Sequence, residues 1–411
     1  MKHPHIPDAP GLAWRPLKAG WQASWRARAD LIKRGWSIRY RHLWTATAAE
    51  PEPTPAAAAM IHDQCQQLQT EMLVWGRGGV PIVSTFDGTW RSLVAGYQTD
   101  EVSGYRKVRY RTRVYYDCLC RRIERDHGDE RVQDFKVRDA LLWHQQWAAD
   151  GEHIPLAHSL MGMIRTLVNF GADFLEDDEC VRVAGVLHRR KFKQGKAREQ
   201  HLSAEQVNAI RAEAHRQGRS SIALAQAFQF ECTFRQKDAI GEWVPIGEPG
   251  LSTVTYGQDK WLRGIRWEEI DGNMILRHVT SKRQKEVVAD LRNAPMVIDE
   301  LGTADRSALP ASGPVIVCEK TQRPWSQHEF RRIWRQLATV AGIPTTVHNM
   351  DSRAGAITEA LNSGARLQSV RKAATHSTEA MTQRYSRDDA NEVAEVMRLR
   401  AAGRNKPGKI G

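Results

Sequence analysis

Ten residues divide this chain in two. Arg189 to Arg198 holds six basic side chains, no acidic one, and Gly195. Such a stretch is too charged to be buried and is expected to be an extended connection. Ser203-Ala-Glu-Gln206 follows directly and reads as a capping box, in which the Ser and Gln side chains satisfy orphaned N–H groups at a helix start. A new domain therefore begins near residue 201. At 411 residues the chain exceeds what one hydrophobic core usually serves, about 250 to 300 residues, so at least two domains are expected.

The same run belongs to a wider pattern of charge. The formal net charge is +12, yet residues 1–45, 106–113 and 189–198 carry +7, +5 and +6, which leaves the remainder at −6. Localised basic excess describes a track for an acidic partner, with nucleic acid first. At 41% hydrophobic and 26% charged the composition is that of a globular protein. No apolar stretch approaches the roughly 20 residues needed to span a bilayer, and Met1-Lys2-His3-Pro4 opens no secretory signal, so no membrane partner is expected. Six cysteines without a CxxC pair suggest a reduced, cytoplasmic protein and no structural metal site. Cys118, Cys120 and His127 supply at most half of one.

Residues 1–50 form a basic unit in which Trp14, Trp21, Trp25, Trp36 and Trp44 are expected to build a small core. Pro51-Glu-Pro53-Thr-Pro55 marks a linker over 51–59. Residues 60–188 have helical periodicity, as in Trp90, Leu93, Val94 and Tyr97, and predict a small helical bundle. Within it, Arg106, Lys107, Arg109, Arg111 and Arg113 form a surface stripe suited to phosphates, as do Arg189, Arg190, Lys191 and Lys193 in the 189–200 connection. Beyond it, Trp267 to Ile270, Met274 to Thr280 and Val287 to Leu291 read as strands around an Asp271-Gly272-Asn273 turn. The pattern is helical again from about 326, with 401–411 as a tail.

No GxxxxGK[ST] loop is present, which argues against an ATP-driven motor. The acidic cluster Glu176-Asp-Asp-Glu179 has a helix-end setting rather than that of a two-metal nuclease. The C-terminal half instead offers a dispersed series. Arg235 and Asp238 stand at i, i+3 after an apolar helix, Lys282 lies in a turn after a strand, Met350-Asp-Ser-Arg353 opens a helix, and Ala374-Thr-His376-Ser precedes Tyr385.

In this order the sequence resembles the tyrosine recombinases, and specifically the phage-type site-specific integrases, over roughly residues 60–400. Phe230 to Arg235 fits the family's A-L-x-T-G-x-Arg pattern with Cys232-Thr233 in place of Thr-Gly. Lys282 matches the hairpin lysine, with Lys285 as the alternative in the same turn. Met350 to Arg353 matches the H-x-x-R box, Ala374 to Ser377 the L-G-H-S segment, and Tyr385 the nucleophile. The spacings, 23 residues from Arg353 to His376 and nine to Tyr385, suit the family. One departure stands out: Met350 occupies the place of the box histidine, and a thioether cannot donate a hydrogen bond to phosphate. His348 lies two positions upstream and could substitute only in a shifted loop.

The resemblance implies a mainly α fold with a small antiparallel β-sheet: a helical core-binding domain (60–188) and an α+β catalytic domain (201–400). It implies cleavage and rejoining of DNA through a 3′-phosphotyrosine, with Tyr385 as nucleophile. Arg235 and Arg353 would clamp the anionic transition state, Lys282 would serve as general acid, His376 would bond a non-bridging oxygen, and Asp238 would orient Arg235. No cofactor is implied. Implied partners are double-stranded DNA attachment sites, a tetramer of the chain on DNA and accessory DNA-bending proteins, in a bacterial or phage setting at the nucleoid. Residues 1–50 lie outside the resemblance, and their basic charge alone suggests an accessory DNA-binding unit. The rival readings are a catalytically weakened DNA-binding protein, prompted by Met350, and a chromosome-resolution recombinase.

Overall fold

The computed structural model describes residues 3–17, 20–34, 36, 38–48, 50–76, 86–196, 198–383, 397–398 and 400. The chain forms two compact units, Met1–Ala197 and Arg198–Gly411.

In the first unit, the Trp-rich segment is a three-stranded antiparallel sheet of Leu12–Leu17, Gly20–Arg26 and Tyr40–Thr45, with the second strand central. Strand alternation turns Ala23 and Trp25 inward, where they are fully buried. Ile61, Cys65, Leu68 and Met72 of the helix Pro55–Gly76 complete this core. The structure therefore differs from the expected 51–59 linker. Pro at the first helical position is compatible with a helix start, so the connection ends at Pro55, and the helix joins the sheet's core rather than the bundle's.

The bundle comprises Trp90–Thr99, Tyr110–His127, Val137–Ala148, Ile154–Phe174 and Asp178–His188. Its core runs from Trp90, Phe135 and Trp143 through Leu160, Ile164 and Leu167. Asp177, from the acidic cluster, accepts the Cys180 N–H at 2.8 Å and caps the last helix. Phe192 of the basic connection is buried in the same core, with the Arg165 guanidinium 5.2 Å from its ring centroid. The connection is thus non-helical as expected but anchored at this residue.

In the second unit, the capping box forms as read: Ser203 Oγ accepts from Gln206 N at 3.2 Å, and Gln206 Oε1 accepts from Ser203 N at 3.1 Å. The helix Ala204–Arg216 packs on Ser220–Glu231, which is buried on nearly every face and forms the centre of the unit. Around it lie the helices Pro295–Leu301, Gln327–Val340 and Ser352–Asn362. Gly355 permits one close approach, since a Cβ there would lie 1.8 Å from the carbonyl oxygen of Leu202.

The β structure differs in part from the sequence reading. Ile275–Val279 pairs antiparallel with Glu286–Asp290, while Trp267–Glu269 is a 3-10 turn joined to the hairpin by a single Ile270–Leu276 bridge. Glu269 explains this, because its carboxylate accepts the Arg266 N–H at 2.9 Å and closes the turn. A second sheet, of Glu242–Pro245, Asp259–Leu262 and Thr255–Tyr256, was not foreseen. Its strands are four residues or fewer, too short for a period-2 signal.

Candidate active site

The site is built where three loops meet. The central helix ends at Glu231, and Arg235 stands at the N-cap of the next helix, Gln236–Ile240. Between them Thr233 adopts φ +51°, in the left-handed region. A second left-handed threonine, Thr375 at φ +51°, precedes His376. These are the two places where the family pattern has glycine, the residue that adopts such a φ without steric cost. The backbone turns the same way with threonine in both.

Arg353 joins the two loops. It is buried, and its Nη1 donates to the Thr233 carbonyl at 2.6 Å while its Nη2 donates to that of Ala374. Thr233 Oγ1 adds a bond to the Ala373 carbonyl at 3.1 Å. The guanidinium thus reaches Thr233, 120 positions away in sequence, as well as Ala374, 21 positions away, and brings Arg235 and His376 to one spot.

Asp238, fully buried, attaches the hairpin. One carboxylate oxygen accepts the Arg235 backbone N–H at 3.2 Å, and the other accepts that of Ser281 at 2.7 Å. Ser281 directly precedes Lys282, which is exposed in the Thr280–Lys285 turn. The expected orienting role for Asp238 therefore has a geometric basis, chiefly through backbone. Arg235 Nη1 lies 3.7 Å from Asp238 Oδ2 and is buried without a hydrogen-bond partner among the described residues. A buried donor left open in this way suits an anion.

His376 is buried, and its Nδ1 shares a 3.0 Å hydrogen bond with the hydroxyl of buried Thr382. Burial, with the fields of Arg353, Arg235 and Arg283, pushes its pKa down to about 4. The imidazole is therefore neutral at neutral pH.

The head of the Arg353 helix is fixed by a buried polar network. Gln226 accepts from Trp334 Nε1 at 2.8 Å and Asn349 Nδ2 at 3.3 Å, and donates to Ser352 Oγ at 2.8 Å. Asp351, also buried, accepts the His348 N–H at 2.8 Å. His348 and Met350 are both exposed, Met350 at 65%. Tyr385 lies outside the described residues.

Of the basic candidates, Arg106, Lys107, Arg109, Arg111, Arg189, Arg190, Lys191 and Lys193 are exposed. Arg113 is half-buried and donates to the Val108 carbonyl at 2.6 Å, so it supports the helix start rather than completing the stripe. Cys120 is buried while Cys118 is exposed, and His127 stacks on Trp143 at 3.6 Å. Among the described residues no cluster of three or more His, Cys, Asp or Glu is placed to hold a metal ion, and no helix is long and apolar enough to cross a membrane. Thr382, Gln226 and Arg198 join the site without a sequence signal that singles them out. The first two carry no motif, and Arg198 read as one more linker charge.

No curated protein matches the sequence. The fold is similar to that of a dimer of lambda integrase residues 75–356 bound to a COC′ core site, with 14% identity, TM-score 0.54, and coverage of 73% of this chain and 96% of that one. It is also similar to a lambda integrase tetramer bound to a Holliday junction, at 13% identity and TM-score 0.54 over 94% of this chain and 97% of the other. A Tn1549 transposon integrase in complex with transposon right end DNA shares 12% identity at TM-score 0.51, over 76% of this chain and 99% of that one. Residues 261–392, from the unforeseen sheet through the lysine hairpin and both later motifs, match the phage integrase family. Residues 261–392 are thus similar in sequence to the phage integrase family, and the fold is similar to that of solved integrases.

Proposed function

We propose that the protein is the site-specific recombinase of a prophage or other mobile element, cleaving and rejoining duplex DNA through a 3′-phosphotyrosine on Tyr385. The observation that carries this reading is the convergence of Arg235, Arg353 and His376, with Asp238 holding the Lys282 hairpin beside them. In the proposed step the Tyr385 phenol gives its proton to water and attacks phosphorus. The P–O5′ bond breaks, and the Lys282 ammonium protonates the departing oxygen. Arg235, through its open Nη1, and Arg353 offset the charge that accumulates on the non-bridging oxygens. Nε2–H of neutral His376 donates to one of these oxygens when Nδ1 accepts from Thr382. The phosphotyrosine conserves the bond energy, so rejoining is proposed to need neither ATP nor a metal.

The partner is double-stranded DNA bearing attachment sites. The bundle with its exposed basic residues would contact phosphates as the core-binding domain, the second unit would be catalytic, and residues 1–50 would be accessory. The likeness to a lambda integrase tetramer on a Holliday junction supports assembly on DNA. Accessory DNA-bending proteins and a cytoplasmic, nucleoid-associated location belong to the same reading.

The test is a nicked suicide duplex carrying the element's own attachment site. Wild type should become covalently linked to a 3′ end, and Tyr385→Phe should bind without linkage. A wild type that binds this duplex and never forms the adduct would return the protein to the rival reading, a DNA-binding protein without catalysis.

A further inference from the structure

The second-box position is the weak point of the clamp. Met350 offers no donor, and Arg353 already commits two of its N–H groups to the carbonyls of Thr233 and Ala374. The charge a phosphodiester acquires in the transition state is offset by donors aimed at its non-bridging oxygens. Another guanidinium stands at the loop that carries His376. Arg283 follows Lys282 in the hairpin turn and is exposed, and its Nη2 donates to Ser377 Oγ at 3.1 Å. Ser377 is the residue after His376, and its hydroxyl in turn donates to Met381 Sδ at 3.3 Å. The arginine is therefore held against the histidine loop by a neutral partner, with no acidic partner among the described residues. The field of Arg283 is felt at the His376 ring, along with those of Arg353 and Arg235.

We propose that Arg283 is a further catalytic residue of this chain, a third guanidinium that contacts the scissile phosphate and supplies the donor that Met350 cannot. The proposal rests on the recombinase reading. Its chemistry is that of an oxyanion contact: planar N–H donors, permanently charged, on a turn that Asp238 already fixes through Ser281. No motif marks it, because it stands one residue from the lysine that the family pattern singles out.

The experiment measures single-turnover covalent adduct formation on the nicked suicide duplex, at saturating protein, with DNA affinity measured in parallel. Arg283→Ala should lower the cleavage rate by about 10²-fold, the loss typical of one oxyanion donor, with affinity changed by less than about threefold. Adding Met350→His to Arg283→Ala should recover at least tenfold of that rate, since a second-box imidazole restores the missing donor. A merely structural Arg283 would not be rescued in this way. Adduct formation by Arg283→Ala at the wild-type rate, or a loss that Met350→His does not restore, overturns the proposal while the recombinase reading stands. A wild type that forms no adduct overturns both.

Discussion

Arg198, the last residue of the basic connection, holds Asp351 at the head of the helix that carries Arg353: its Nε and Nη2 meet the two carboxylate oxygens at 3.1 and 2.6 Å. The same Nη2 donates to the Thr346 carbonyl at 2.8 Å, and Leu202 N donates to the Asp351 carbonyl at 3.3 Å. Arg198 and Leu202 are thus fastened to the start of the Arg353 helix within the second unit. The Asp351 side chain is 5% exposed and that of Arg198 38%, so solvent screens part of the pair and the backbone N–H of His348 supports what remains. Arg198→Ala is expected to destabilise the second unit by about 1–2 kcal/mol, less than the cost of breaking a fully buried pair. Urea unfolding checks this, and an unchanged midpoint would show that the contact carries no stability.

Thr233 and Thr375 share a left-handed φ of +51° but differ in what their hydroxyls do. Thr233 Oγ1 is bonded to the Ala373 carbonyl, whereas Thr375 Oγ1 is buried without a partner among the described residues. A β-branched residue in this region costs about 1–2 kcal/mol, and an unsatisfied buried hydroxyl adds to that. Glycine returns about 0.5–1 kcal/mol of the gain through its freer unfolded chain. Thr375→Gly is therefore expected to stabilise the protein by about 1 kcal/mol, and Thr233→Gly to be close to neutral. Thermal melting that ranked Thr375→Gly below wild type would refute the strain argument.

These threonines also mark the limit of what the sequence discloses. Arg235, Arg353 and His376, which the structure brings together, can be picked out in the sequence because each motif has a fixed type and spacing. The capping box and the bundle's heptad-like periodicity were legible for the same local reasons. Arg353 as a staple between two backbone carbonyls was not, since its partners are remote in sequence and backbone carbonyls carry no residue identity. The helix Pro55–Gly76 was passed over in part because a proline cluster reads the same whether it ends a linker or opens a helix. The short strands around Trp243 and Trp261 gave no alternation long enough to see.

Asp238→Asn isolates the link between the arginine and the lysine. Both carboxylate oxygens accept backbone N–H groups, from Arg235 and Ser281. An asparagine keeps one acceptor and sets an NH₂ against the other donor, a mismatch worth about 1–3 kcal/mol in a fully buried site. The Lys282 turn should loosen, so cleavage should fall by about tenfold or more while DNA affinity holds. Cleavage kinetics on the suicide duplex, beside a binding titration, separate the two. An equal loss of both would mean that Asp238 supports the fold and not the hairpin's placement.

His376 gives the molecule a defined pH signature. Its folded-state pKa, pushed down to about 4, lies below the ordinary histidine value of about 6.5. Between these values the unfolded chain binds a proton that the native site refuses. Linkage then makes stability rise with pH across the window, so the contribution is fully favourable above about 6.5 and is lost as pH falls toward 4. His376→Gln removes the titrating group, and the stability difference between wild type and variant should shift against wild type as pH is lowered from 7 to 4. The phosphate of bound DNA favours the charged ring, so DNA should raise the pKa. Following the ring's Cε1–H resonance by NMR tests both statements. A titration near 6.5 in the free protein would mean that the three arginines and burial do not hold the imidazole neutral, and a pKa unmoved by DNA would place the phosphate away from this ring.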